Sequence, residues 1–243
     1  MGEFIFLAIV IFLAGLSNST FGFAMVSMSL LTLHFPLSFI APLIPLIFIS
    51  TNIFIVLRCW REIEWKSIAL LLLGSSIAVP IGVSLSNKES EVLVKTVIGI
   101  FLIGFGLFNL LTTTLPHFKT QKTAPIFGFI SGLFGGAFNV SGPPIVIYGL
   151  FRNWDPQKFR ASLQGYFTYT NLLIISLHVY NGNMQNPKLL HYYLIALPIV
   201  LIATPIGKRI NQSFKNPKKF QQVIYYLMLI FGTMMILKAY KFI

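Results

Sequence analysis

Two short polar stretches interrupt runs that are otherwise apolar, and the residue types in them suit the binding of a small anion. Residues 131–144 read SGLFGGAFNVSGPP and residues 17–23 read SNSTFGF, with no charged side chain in either. In low-dielectric surroundings, hydroxyls, amides and the free N–H groups of a helix N-terminus stabilise negative charge. Asn139 and Ser141 precede Gly142, Pro143 and Pro144, a pattern that predicts a new helix with Ser141 as its N-cap. Proline costs nothing in a first turn, where the N–H has no partner anyway. Gly136 and Gly142 let a ligand or another backbone approach closely. In the other stretch Asn18, Ser19 and Thr20 supply uncharged donors just before Gly22. Asn52 and Asn171 lie inside neighbouring apolar runs, and Arg160 stands near the start of one of them, placed to attract an anion from the mouth of a site. These residues form the expected substrate-binding set.

The acids point the same way. Glu3, Glu62, Glu64, Glu89, Glu91 and Asp155 all lie at the ends of apolar runs or between them. Metal cations usually require anionic oxygen ligands, and proton antiporters usually use a buried carboxylate. No metal site and no cofactor are expected, and the single cysteine, Cys59, has no ligand cluster around it. An alternative chemistry is an intramembrane serine protease with Ser141 as nucleophile and His178 as its base. Against it, Asn139 stands where such sites carry glycine two residues before the serine, and His178 falls at a helix end. A non-transporting membrane scaffold is a third reading, which predicts no stabilisation by anions.

The elements that hold these residues follow from composition. Of 243 residues 56% are hydrophobic and 10% charged, which excludes a soluble globular protein and indicates a polytopic membrane protein. The N-terminus lacks early bases and does not read as a cleavable signal. A net charge of +12 comes from bases lying between apolar runs, where the lipid bilayer accounts for them and nucleic acid is not expected as a partner. Nothing in the residue types decides whether the chain forms homo-oligomers. Eight apolar segments are predicted, near 3–34, 37–57, 67–86, 92–112, 125–150, 161–180, 189–207 and 220–240. The first and fifth exceed the roughly twenty helical residues that one crossing needs, and they are the two with polar centres.

The chain also repeats itself. Shifted by 117, Ile9, Phe12, Gly15, Leu16 and Phe21 fall on Ile126, Phe129, Gly132, Leu133 and Phe138. Shifted by 119, Phe48, Thr51, Asn52 and Ile55 fall on Phe167, Thr170, Asn171 and Ile174; shifted by 125, IAVPIG at 77–82 meets IATPIG at 202–207. The expected organisation is a first repeat over 1–112, a polar linker at 113–124 and a second repeat over 125–243. If all eight segments crossed, the 18 bases would divide 8 and 10 between the two faces. If the first and fifth segments instead turn back, 13 of the 18 share one face, as the positive-inside rule prefers. That arrangement leaves three crossings per half and so inverts one repeat relative to the other. The predicted fold is therefore an all-α integral membrane protein of two inverted repeats, each a broken or re-entrant first segment plus three transmembrane helices, with both termini outside. Paired breaks in inverted repeats are a common site layout in secondary transporters.

Total length, duplicated halves, a glycine-bearing first segment in each half and GFISGLFGGAFNVSGPPIVIY at 128–148 followed by RNWDPQKFRAS at 152–162 together carry a resemblance. The chain resembles the TauE/SafE sulfite exporter family, over essentially its whole length and most specifically at 128–162. The resemblance implies a multi-pass protein of the bacterial inner membrane that exports sulfite, a sulfonate or a related small sulfur-containing anion. Where such proteins often have a denser glycine cluster in the first half, this chain has Ser17, Asn18 and Ser19, a difference that bears on the substrate and keeps an unrelated small anion as an alternative.

Overall fold

The computed structural model describes residues 2–24, 27, 30, 31, 34–84, 91–111, 120–214 and 216–240. In order these form α1 (Gly2–Phe21), α2 (Leu37–Cys59) with a single 3-10 turn after it (Trp60–Glu62), α3 (Trp65–Ser84), α4 (Glu91–Leu111), α5 (Ala124–Phe138), α6 (Gly142–Phe151), α7 (Pro156–Tyr180), α8 (Pro187–Ser213) and α9 (Pro217–Ala239), with no strand among the described residues. Five described helices are long and apolar enough to cross a membrane, and α5 and α6 are shorter apolar helices. Of the expected linker, residues 113–119 lie outside the described residues, as do Lys88, Lys119, Lys215 and Lys241.

Three helix starts share one local device. Asp155 accepts from the amides of Gln157 and Lys158, Asn186 from that of Lys188, and Asn216 from that of Lys218, each followed by proline at the first helical position. The side chain satisfies amides that lack an intrahelical partner, and the proline has none to satisfy. The Asp155 cap starts α7 at Pro156 rather than 161, and at its far end α8 runs on to Ser213 rather than 207. Charged residues such as Lys208 and Arg209, assigned to a loop by hydropathy alone, are helical because α8 is longer than its apolar part.

Glycine sets which helices touch. On α5, Gly128, Gly132 and Gly136 recur every four residues and so share one helix face. A Cβ on any of them would collide with the α3 backbone at Leu71, Ser75 and Val79 respectively, so α3 and α5 run in the same direction in backbone contact. The α1 and α8 pair is built alike: Gly15 lies against Val200 and Ala203, and Gly207 against Leu16 and Ser19. Between lipid-facing helices there is little hydrophobic drive, so small residues that let backbones meet are the main source of association. The α4 and α9 helices cross at Gly99 and Gly232, each of which abuts the other's carbonyl oxygen.

Both long segments turn back. After α1 the chain returns so that the His34 ring lies 4.1 Å from that of Phe6, and Tyr192 at the start of α8 touches both Phe4 and Phe35. After α5 the chain breaks at 139–141, and α6 returns so that the Tyr148 ring lies 5.6 Å from that of Phe127. Asn139 takes the left-handed conformation (φ 54°) that ends α5, its amide bonded to Gly135. One end of the bundle gathers the Lys158–Glu64 ion pair (2.8 Å), the Gln221–Asn153 bond, and Asn211 bonded to both Thr20 and Pro156.

Candidate anion site

The two turn-backs meet at one cavity of about 60 Å³, large enough for a few heavy atoms and far below a drug-sized pocket. Its walls include Asn18, Phe23 and Ser27 from the first segment, Asn139, Ser141 and Gly142 from the second, and Phe48, Asn52, Phe167 and Asn171 from α2 and α7. Six of the expected site residues, Asn18, Asn52, Asn139, Ser141, Gly142 and Asn171, are thus brought together, although they span more than 150 positions of the chain.

Two of these amides are oriented by a bond to one another and by Gln164 of α7. Gln164 donates to both the side-chain and main-chain oxygens of Asn18, and Asn18 donates to the side-chain oxygen of Asn52 (3.0 Å). Asn18 accepts through its oxygen and donates through its NH₂, so the series runs from Gln164 to Asn52 and ends on the Asn52 NH₂, which has no acceptor among the described residues. An amide donor left without an acceptor at the cavity wall favours an anion.

Asn139 does two things at once. Pro45, inside α2, lacks the N–H that would bond the Ala41 carbonyl one turn earlier. The Asn139 side-chain NH₂ donates to that carbonyl (2.6 Å), so the second turn-back is fastened to α2 by the bond that proline removed. The tip is held from behind as well: Tyr166 donates to Ser131, and Ser131 donates to the Ser141 carbonyl. Ser141 stands at the expected N-cap position of α6, but its backbone is already in the α-region and its side chain makes no capping bond. Among residues 142–145, Pro143 and Pro144 carry no N–H, so the α6 N-terminus offers the pocket its dipole and fewer donors than an ordinary helix start.

The remaining expected residues lie elsewhere. Ser19 and Thr20 donate to the carbonyls of Thr204 and Gly207 and bind α1 to α8. Gly22 (φ 89°) ends α1 where a Cβ would strike Leu163 and approach the Arg160 backbone. Gly136 faces α3. Arg160 is buried but lines a separate cavity. His178 is hydrogen-bonded to Asn183 (3.1 Å), and no hydrogen bond joins it to Ser141 among the described residues, so the pair needed for a protease is not assembled. The described residues contain no cluster of three metal-ligating side chains. Sequence reasoning missed Gln164 and the Ser131–Tyr166 pair; the one available signal was that Gln164 stands a single helical turn beyond Arg160.

The family model for the sulfite exporter TauE/SafE matches residues 7–235. The chain belongs to that family. It is also 25% identical over 211 residues to a probable sulfite/organosulfonate exporter from Cupriavidus necator, covering 84% of this chain and 80% of the relative. No solved structure matches. Membership and the membrane-length helices together make this a multi-pass transporter of the bacterial inner membrane.

Proposed function

We propose that the chain exports sulfite or an organosulfonate and holds it in the cavity where the two turn-backs meet. The observation that carries this reading is the convergence of both breaks and of the paired Asn52 and Asn171 on one small cavity whose wall offers amide donors and no carboxylate. Asn52, Asn171, Ser141 and the α6 N-terminus face the anion; Asn18 and Asn139 orient them. The organosulfonate named for the Cupriavidus relative fits a wall that is part apolar, with Phe23, Phe48 and Phe167 beside the amides.

The transporter reading includes two inverted repeats, 1–112 and 125–243, with the basic end in the cytoplasm. Contacts that exchange between the halves support it. Gly207 abuts the carbonyl of Leu16, and Gly82 abuts that of Leu133; Leu16 and Leu133 are partners at the 117 shift, Gly82 and Gly207 at the 125 shift. Likewise Gly22 meets the backbone of Arg160 while Asn139 bonds the carbonyl of Ala41, and these are partners at shifts of 117 and 119. Helices that would be each other's counterparts pack antiparallel, as α4 and α9 do: Gly99 lies against Ile236, and Gly106 against Leu229.

The test is thermal stabilisation of the purified protein by sulfite, an organosulfonate, sulfate, phosphate and a neutral solute. Sulfite or the organosulfonate raising Tm in wild type and failing to do so in Asn52→Leu is expected. Stabilisation by the neutral solute alone would remove the anion reading.

A further inference from the structure

A second cavity, of about 490 Å³, opens between the end of α2, the start of α7 and the latter half of α8, at the basic end of the bundle. Arg58, Arg160, Lys208 and Arg209 line it together with Cys59 and Thr204, and no acid does among the described residues. Arg160 is 3% exposed, its Nε has no hydrogen-bond partner, and its Nη1 reaches only the Cys59 sulfur at 3.8 Å. A guanidinium cannot shed its charge by deprotonation, and a buried charge without a counter-ion is strongly disfavoured. Of the acids on the adjoining elements, Asp155 caps α7, Glu64 pairs with Lys158 and Glu62 is exposed on the 3-10 turn, and none bonds Arg160 among the described residues. The cavity is therefore where a counter-charge from outside the described chain would sit. Arg58 is steadied at the cavity wall by lying 4.1 Å over the Phe54 ring.

Residues of α7 link this cavity to the one between the two turn-backs. Gln164, one turn along α7 from Arg160, starts the amide series through Asn18 to Asn52, and its own side-chain oxygen is buried without a partner. Gly22 seats the tip of the first turn-back against Arg160 and Leu163. The bonded side-chain amides of Gln164, Asn18 and Asn52 thus run from one helical turn beyond Arg160 to the wall of the smaller cavity.

We propose that the Arg160 cavity is a second oxyanion site, in which the exported anion is loaded at the basic end before it passes the Gln164–Asn18–Asn52 amides. The identity of the anion as cargo rests on the function proposed above. An oxyanion could also be supplied by the phosphate of an anionic lipid, since basic pockets between membrane helices hold such headgroups, and the experiment separates the two.

The chain's single cysteine lies in the cavity and reports on it. On the full-length protein in nanodiscs of zwitterionic lipid, Cys59 is modified with a methanethiosulfonate carrying a sulfonate and, separately, with one carrying a trimethylammonium. The sulfonate reagent should react at least about tenfold faster, a difference set by local cation density, and excess methanesulfonate should slow it. Equal rates, preference for the cation, or no reaction with either overturns the site. Protection by phosphatidylglycerol nanodiscs but not by methanesulfonate reassigns it to lipid and overturns the loading role. Equilibrium dialysis of radiolabelled sulfite then counts sites: two per chain in wild type and in Arg160→Lys, one in Arg160→Gln and one in Asn52→Leu. If Asn52→Leu loses a site and Arg160→Gln does not, the cavity between the turn-backs stands as a site and this proposal falls; if neither variant loses one, both fall.

Discussion

Pro45 leaves the Ala41 carbonyl without its helical partner, and Asn139 supplies the replacement from a distant segment. Within a membrane such a carbonyl has no water to turn to, so the pair makes a double-mutant prediction. Asn139→Gly keeps the left-handed backbone that the turn requires and deletes the donor; unfolding measurements should show a loss of about 1–3 kcal/mol. Pro45→Ala restores an N–H to α2 and should recover most of that loss in the double variant without restoring transport. Additive effects of the two substitutions would show that the bond does not exist. Gly22 has φ 89° and the Leu163 side chain against it, so Gly22→Ala should lower stability by about 1–3 kcal/mol or more through backbone strain together with the clash on Leu163. Residue types disclosed the donors in both polar stretches. They could not disclose Gln164, because its importance lies in Asn18 being opposite it, a relation that exists only after α1 packs on α7.

At the scale of elements, the close pairs α1 with α8 and α3 with α5 depend on glycine at the contact and not on apolar bulk. Gly132→Leu and Gly207→Leu should each prevent recovery of folded protein from membranes, because backbone occupies the space a side chain needs. Gly104 has open space where a Cβ would go, and Gly104→Leu should express and melt like wild type; fluorescence size-exclusion profiles on the three variants check this. The helices themselves were legible from apolar runs, and the paired polar stretches correctly marked the breaks at 22–24 and 139–141. Their ends were less so. Asp155-Pro156, Asn186-Pro187 and Asn216-Pro217 are start signals visible in the sequence, yet α7 and α8 extend past their apolar cores, where hydropathy carries no information. The cap predicted for Ser141 did not form, since Ser141 is already helical and the prolines behind it leave few amides to cap.

For the whole molecule, the fold follows from two facts working together: lipid forbids unpaired backbone, and the charge asymmetry favours turning back over crossing. The three sequence blocks that align with one another were readable beforehand, whereas the packing of α1 on α8 and of α5 on α3 was not, because those contacts join segments far apart in the chain. Orientation is checked with single cysteines in a Cys59→Ser background. Arg61→Cys and Lys218→Cys should label from the cytoplasm, and Asn183→Cys from the outside; Arg61→Cys and Asn183→Cys labelling from one face would overturn the inverted arrangement. The central claim, that a small sulfur oxyanion passes through the cavity between the two turn-backs, is met most directly by sulfite flux in proteoliposomes under an imposed membrane potential. Saturable flux that an organosulfonate inhibits, reduced at least about tenfold in Asn52→Leu and Asn171→Leu by loss of hydrogen bonds to a charged ligand, is the predicted result. Flux no greater than in protein-free vesicles, or unchanged in both variants, would contradict it.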